Sequence, residues 1–287
     1  ELLPDGTYRR VDNNPQTIRL PSNGNATQKE IDAALEMRLA YVETPDRSLN
    51  ARTRAGLFGL SNILRLRTSV EPADPHSVDL ETDALELYPL IYLNIPDSMP
   101  PLSDTAIAHL NTYLRSGGAL VIDTRAGGTI GTQTDVTRLE TLLEGLDAPP
   151  LQTVGENHVL TRTFYLLDDF PGRYAQRNLW IEQAGDASAP RGDGVSRLII
   201  GDADWASAWA VDEQGRDLYS VDGGAQQREM ARRFGVNLVM YVLTGNYKDD
   251  QVHIPALLER LGNGDADEAP DESPVRLPTR IPDGGPQ

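Results

Sequence analysis

Residues 90–125, LIYLNIPDSMPPLSDTAIAHLNTYLRSGGALVIDTR, decide the fold because they read as one complete strand–helix–strand unit. The short apolar run 90–95 has the length of a buried strand, and three prolines separate it from a helix that Ser103 can cap. Apolar side chains recur in that helix at the spacing of one face, and a Gly-Gly pair ends it. A second apolar strand follows at 119–122. Two strands joined by a helix of this length run parallel, with a right-handed crossover.

Strand and helix signals alternate on both sides of this unit. Upstream, a capping box at Thr27 opens a helix, 37–43 reads as a strand and 49–66 as a helix in which Gly56 and Gly59 allow close packing. The downstream elements are a helix at 135–146 that Thr134 can cap, strands at 179–182 and 197–201, and a final helix at 225–243 that Gly245 closes. The alternation predicts an α/β fold of flavodoxin-like type: a doubly wound, mostly parallel sheet with helices on both faces.

The two ends of the chain are poor in residues that build a core. Residues 1–26 show no sustained periodicity and are predicted to be an extended arm or linker, whereas 27–261 form a single α/β domain. Residues 262–287 carry six acidic and two basic side chains, and from Pro270 to Pro286 a proline recurs at every fourth position, which predicts a disordered acidic tail. Because the chain starts at Glu1 without an initiator Met, we expect it to be a piece of a longer protein or a processed chain.

Composition excludes several classes of function. The chain has 26 basic and 43 acidic residues and a net charge of -17, which argues against nucleic acid and anionic membrane surfaces as partners. It contains no cysteine, so disulfides, thiolate metal sites and cysteine nucleophiles are excluded. The sequence holds no run of 18 apolar residues, and we therefore expect no direct membrane insertion by this chain.

Ligands of doubly wound sheets bind beyond the carboxyl ends of the strands, and polar residues follow the predicted strands at those positions. The candidates are Glu43, Asn94, Asp123, Arg125, Asp202 and Asp204. Clustered carboxylates could bind Mg²⁺ or Ca²⁺, or could act as a general acid–base pair if packing separates their pKa values. The simpler interpretation is that these side chains end the strands by bonding nearby backbone N–H groups.

Two polar residues of the final helix, Arg228 and Asn237, are further binding candidates because they interrupt an otherwise apolar surface and could reach the same cleft. The alternatives are a solvated helix turn for Arg228 and a buried amide that satisfies backbone groups for Asn237.

Other motifs predict no chemistry. The segment beginning at Gly59, GLS, resembles a nucleophile elbow but falls inside a helix, and the glycine-rich segment 127–131 lacks the spacing of a phosphate-binding loop. The four histidines show no metal-ligand spacing. Trp180, Trp205 and Trp209 could line a sugar pocket or belong to the core. We therefore expect no cofactor, no metal ligand set and no recognisable catalytic residue.

Four segments carry a resemblance to a known family: RLAYV at 38–42, YPLIY at 88–92, GGALVID at 117–123 and REMARRFGVN at 228–237. Together they resemble the bacterial DUF4159 family over about 37–262. The resemblance implies a fold similar to class I glutamine amidotransferases, in membrane-anchored proteins with BatA-like N-terminal segments encoded near MoxR-type ATPases. Those amidotransferases use a Cys–His–Glu triad, and the absence of cysteine means that their catalytic residues cannot be carried over.

Two functions from different classes remain open. We favour a non-catalytic interaction or sensing domain of a membrane-anchored bacterial protein, with a protein partner in a MoxR/BatA-type assembly and a periplasmic or other extracytoplasmic location. The alternative is a small-ligand or metal-dependent activity, of a sugar- or carboxylate-site hydrolase-like kind, carried by Asp123, Asp202 and Asp204 with Glu43 nearby.

Overall fold

The structure of the chain is a computed structural model that describes residues 7–9, 17–19, 26–125, 139–155, 157–175, 179–182 and 195–262. The chain divides into two compact units. One is Ala26–Leu257, and the other consists of Glu1–Asn25 and Leu258–Gln287. In the second unit, strands β1 (Thr7–Arg9) and β2 (Thr17–Arg19) pair antiparallel with each other.

The unit Ala26–Leu257 contains a seven-stranded sheet. Its strands are β3 (Arg38–Val42), β4 (Ala73–Val78), β5 (Leu90–Asn94), β6 (Ala119–Asp123), β7 (Leu151–Thr153), β8 (Trp180–Glu182) and β9 (Leu198–Gly201). The spatial order is β4-β3-β5-β6-β9-β8-β7, in which the first five strands pair parallel, while β8 pairs antiparallel with both β9 and β7. Counted along the chain, the parallel strands have the flavodoxin-like order 2-1-3-4-5, which confirms the predicted fold class.

Helices alternate with the parallel strands along the chain. They are α1 (Gln28–Leu35), α2 (Arg47–Arg67), α3 (Asp104–Arg115), α4 (Trp205–Trp209) and α5 (Gly224–Gly262). The predicted strand–helix–strand unit is confirmed, because β5 and β6 pair parallel with Asn94 opposite Asp123 and Ser103 Oγ accepts a hydrogen bond from the first turn of α3. The capping box at Thr27 is also present.

Both faces of the sheet are covered by apolar side chains, as the continuous hydrophobic strands require. On β5, Leu90 and Tyr92 pack in the cluster that contains side chains of α2, α4 and α5, while Ile91 and Leu93 pack in the cluster that contains α3. Alternation along a strand therefore divides the core into two layers.

Helix α2 lies unusually close to α4 because two of its residues have no side chain. A Cβ atom on Gly56 would stand 2.3 Å from the carbonyl oxygen of Ala206, and one on Gly59 would stand 1.9 Å from that of Trp209. The predicted close packing at these glycines is confirmed. Ser61 is buried within α2 rather than exposed on a strand-to-helix turn, as expected for a packing segment.

The structure differs from the sequence prediction at several elements. Helix α5 continues through Gly245 to Gly262, since a helical glycine costs only about 1 kcal/mol and does not by itself end a helix. Strand β4 has no apolar run and contains Pro75, which an edge strand tolerates. Residues 139–142 are helical, whereas the proposed cap Thr134 and the segment 127–131 lie outside the described residues.

Candidate functional site

Four of the predicted polar residues are buried at one edge of the sheet. Asn94 ends β5, Asp123 ends β6, and Asp202 and Asp204 follow β9. These three strands are adjacent and parallel, so their carboxyl ends meet at the same place. The sequence-based expectation of a polar cluster at this edge therefore has a counterpart in the structure.

Asp123 is the centre of a buried hydrogen-bond network, and its side chain is completely buried. Its Oδ2 atom accepts from the Tyr92 hydroxyl at 2.6 Å and from the Trp205 N–H at 2.7 Å. Its Oδ1 atom accepts from the N–H groups of Arg125 at 2.9 Å and Asp204 at 3.2 Å. Both carboxylate oxygens are thus engaged by donors that belong to the protein itself.

This carboxylate also holds two strained turns. Arg125 has a φ of 58° and Asp204 a φ of 54°, the left-handed region that side-chain-bearing residues seldom adopt, and no other non-glycine residue of the described chain has a positive φ. Each donates its backbone N–H to Asp123 Oδ1. Asp123 therefore stabilises the turn after β6 and the turn between β9 and α4 together.

Asp204 lies at that second turn, with a side chain only 2% exposed. Its Oδ2 atom is 3.8 Å from Nη1 of Arg52 and 3.6 Å from Nη1 of Arg173. Its Oδ1 atom has no hydrogen-bond partner among the described residues. The two guanidinium groups compensate the buried charge electrostatically, at distances longer than a good hydrogen bond.

The environment changes the ionisation of this network. Burial, followed by the negative charge of Asp204, raises the pKa of Asp123 to about 7, although the hydrogen bonds from Tyr92 and the backbone lower it. Burial and the neighbouring Asp123 carboxylate raise the pKa of Tyr92 well above its ordinary value. The Tyr92 hydroxyl therefore stays protonated at neutral pH and donates to Asp123.

The raised pKa of Asp123 predicts a pH-dependent contribution to stability. The folded protein binds a proton that the unfolded chain releases, so this contribution is complete below the ordinary pKa of 3.8 and is lost as the pH rises through about 7. We expect the difference in unfolding free energy between the wild type and Asp123→Asn to become smaller from pH 4 to pH 7, as measured by urea unfolding. A difference that grows over this range would contradict the prediction. Asp204→Asn should move the transition to lower pH, because it removes the second cause of the shift.

Asn94 connects this edge to helix α2. Its Nδ2 donates to Thr53 Oγ1 at 3.1 Å, and its Oδ1 has no hydrogen-bond partner among the described residues. Glu43 is different: its side chain is exposed at the end of β3, and its backbone N–H donates to the carbonyl of Val78. Asn94 thus belongs to the buried edge, while Glu43 lies at its exposed margin.

The three remaining candidates bind backbone carbonyls. Arg125 Nη2 donates to the Ile95 carbonyl at 3.1 Å. Asn237 accepts from the Tyr165 N–H at 2.7 Å and donates to the carbonyls of Leu160 and Tyr165, which is the buried-amide alternative. Arg228 donates to the carbonyls of Ala208 and Tyr219 and pairs with Asp217. Asn237 therefore holds a loop beside α5, whereas Arg228 connects α5 to helix α4 and to the loop that contains Tyr219.

Sequence reasoning missed three participants: Tyr92, Arg52 and Arg173. Tyr92 carried a usable signal, because it stands two residues before Asn94 on a buried strand and a buried tyrosine hydroxyl needs a partner. Arg52 and Arg173 carried none, since they come from a helix and a loop that only the fold brings together. Trp205 and Trp209 are fully buried core residues, so neither lines an open sugar pocket.

The site is the polar carboxyl edge of a doubly wound α/β domain, and within the described residues no group of three or more His, Cys, Asp or Glu side chains could hold a metal ion. The chain belongs to the DUF4159 family, described as a domain of unknown function, whose model matches residues 38–243. A comparison with curated proteins found no match. Across the described part of the chain, no helix is both long and apolar enough to cross a bilayer.

Proposed function

We propose that this chain is a non-catalytic interaction or sensing domain. The observation that carries the proposal is the state of Asp123, the strand-end carboxylate best placed for acid–base chemistry. It is completely buried and already accepts four hydrogen bonds from the protein. A carboxylate used in this way acts as a framework group for the neighbouring turns, which favours recognition over catalysis at this edge.

The groups available for recognition are the two arginines beside Asp204. The side chains of Arg52 and Arg173 are 23% and 30% exposed, so solvent reaches both. Their guanidinium groups lie over the rings of Tyr219 and Tyr174, respectively. Arginine and tyrosine are enriched at protein interfaces, where a planar donor and a rigid ring provide specificity. We call Arg52 and Arg173 the arginine pair.

The family resemblance suggests the kind of partner. We propose a protein partner within a membrane-associated assembly of the MoxR/BatA type, in which segments outside this chain hold the domain at a bacterial membrane and the domain faces the periplasm or another extracytoplasmic space. A fold relationship to class I glutamine amidotransferases is part of the same proposal. The net charge of -17 makes nucleic acid an unsuitable partner.

Affinity capture from detergent-solubilised membranes, with the full chain as bait, tests this proposal. We expect recovery of a MoxR-type ATPase or a BatA-like protein, and a loss of at least about tenfold in recovery with the double variant Arg52→Gln/Arg173→Gln. Arg54→Gln is the matched control, because Arg54 is an exposed arginine on the same helix. Recovery of neither protein, or equal recovery by the double variant, would overturn the proposal.

A second candidate is a small-ligand or metal-dependent activity, and the Asp123–Asp204 pair favours it. Two neighbouring acids of which one has a raised pKa are the arrangement that general acid–base catalysis uses. Calorimetric titration with Mg²⁺, Ca²⁺ and simple sugars tests it. Binding heat that disappears in Asp204→Asn would favour this activity, whereas no heat and no thermal shift would eliminate it.

A further inference from the structure

We infer that Arg52 and Arg173 together form a binding site for an oxyanion, a carboxylate or phosphate group, at the carboxyl edge of the sheet. The inference deepens the proposed function, because it names the ligand chemistry of the same arginine pair. The two guanidinium groups converge on one oxygen, they have N–H donors that Asp204 does not accept, the backbone around them is held in place, and solvent reaches both side chains.

The two arginines converge from different parts of the fold. Arg52 belongs to helix α2 and Arg173 to the loop after residue 170, yet an Nη1 atom of each lies within 3.8 Å of the same oxygen, Asp204 Oδ2. One oxygen thus locates both guanidinium groups. An anion with two or three oxygens can contact both groups, because each guanidinium presents a fork of N–H donors that binds two oxygens at once.

The donors of this pair exceed what Asp204 accepts. A guanidinium group carries five N–H donors, and neither arginine approaches Asp204 closely enough for a good hydrogen bond. The Nε atom of Arg52 is buried and has no hydrogen-bond partner among the described residues. Asp123 does not compete for these donors, since its oxygens bind Tyr92 and three backbone N–H groups. These donors favour a ligand that supplies acceptor oxygens, and the permanent positive charge of both guanidinium groups favours an anion among such ligands.

The backbone holds the pair in place before any ligand binds. On the loop side, the N–H of Arg173 donates to the Asp204 carbonyl at 3.3 Å and the N–H of Tyr174 to the Ala203 carbonyl at 3.1 Å. Gln227, a residue of helix α5, donates a hydrogen bond from Nε2 to the Arg173 carbonyl oxygen at 3.0 Å. The loop is therefore docked on the same turn that presents Asp204.

On the helix side, Gly56 brings α2 into direct contact with the backbone of Ala206. The guanidinium of Arg52 lies 4.7 Å from the centre of the Tyr219 ring, and the Tyr219 carbonyl accepts a hydrogen bond from Arg228. Arg228, predicted as a binding residue, thus acts as a positioning residue behind Arg52. A preorganised pair loses less entropy on binding and gains affinity for that reason.

The arginine pair is more accessible to solvent than the carboxylate it faces, since the side chains of Arg52 and Arg173 are 23% and 30% exposed and that of Asp204 is 2% exposed. Asp204 offers one carboxylate to two permanently charged guanidinium groups, while Asp123 and Asp202 are completely buried beneath the same edge. Because both arginine side chains remain partly exposed, a ligand can approach from solvent. Its oxyanion could belong to an acidic side chain of a partner protein or to a free phosphate, and the test separates these sources.

Isothermal titration of the purified full chain with three probes tests the inference: sodium phosphate, glutarate and a hexaglutamate peptide, at matched ionic strength. We expect saturable binding of at least one probe, weakened about tenfold or more by Arg52→Gln and by Arg173→Gln and unchanged by Arg54→Gln. Tighter binding of phosphate would identify free phosphate as the source of the oxyanion. Tighter binding of glutarate or of the peptide would identify the acidic side chains of a partner protein as its source. Equal binding by the double variant, or no binding of any probe, would overturn the inference.

Loss of binding could also follow from misfolding, so a variant with a gain is needed. Asp204→Asn keeps the shape of the side chain but removes the carboxylate that competes for both arginines, and we expect it to tighten anion binding several-fold. Weaker or unchanged binding by this variant would contradict the inference. Anion binding without capture of a membrane partner would leave this inference intact and overturn the proposed function. Capture of a membrane partner without anion binding would overturn this inference and leave the proposed function intact.

Discussion

Asp123→Ala is expected to lower the free energy of unfolding by about 4 kcal/mol, because it strands a set of buried donors. The Tyr92 hydroxyl and the N–H groups of Arg125, Asp204 and Trp205 all lose their acceptor at once. Two of these N–H groups belong to left-handed turns that the carboxylate stabilises. Denaturant unfolding at neutral pH measures the loss.

Asp97→Ala is the control for this experiment. Asp97 is fully exposed in the loop after β5 and its contact with Arg125 is long, at 3.5 Å. Ion pairs of this kind at the surface contribute little to stability, so we expect Asp97→Ala to change the free energy of unfolding by no more than about 0.5 kcal/mol. An Asp123→Ala protein that is as stable as Asp97→Ala would show that Asp123 is not a framework residue, and it would remove the main argument for a non-catalytic role.

Gly59→Ala is expected to destabilise the domain by about 3 kcal/mol, even though alanine is the better helix former by about 1 kcal/mol. The added Cβ would stand 1.9 Å from the carbonyl oxygen of Trp209, and a backbone atom cannot rotate away. Helix α2 must therefore move from α4. Because α2 carries Arg52, the same substitution should also weaken binding at the arginine pair.

Gly155→Ala provides the comparison, since a Cβ at Gly155 would meet no atom within 4 Å. We expect the free energy of unfolding of this variant to lie within about 0.5 kcal/mol of that of the wild type. Thermal and denaturant unfolding of both variants, with phosphate titration of each, test the two consequences together. A Gly59→Ala protein of unchanged or increased stability would mean that the α2–α4 contact is not close-packed.

The sequence by itself determined the architecture where local signals and the fold agree. The run 90–125 specified two parallel strands and their helix, because its apolar stretches, cap and glycine pair all favour one arrangement. The close contact between α2 and α4 was predictable from Gly56 and Gly59, because two glycines three residues apart leave space on one face of a helix for the backbone of another helix. The placing of acids from neighbouring strands at one edge of the sheet followed from strand direction. Local chemistry was sufficient for each of these.

The partners of the residues at this edge, and the burial of each, were decided only by the tertiary structure. Nothing near Arg52 or Arg173 in the sequence indicates that both meet Asp204, because their proximity depends on the docking of α2 and of a loop without periodicity. Nor could the sequence distinguish Asn94, which is buried, from Glu43, which is exposed, although both follow strands. Spacing along a chain encodes the direction in which a side chain leaves its element, whereas its partners depend on how separate elements pack in three dimensions.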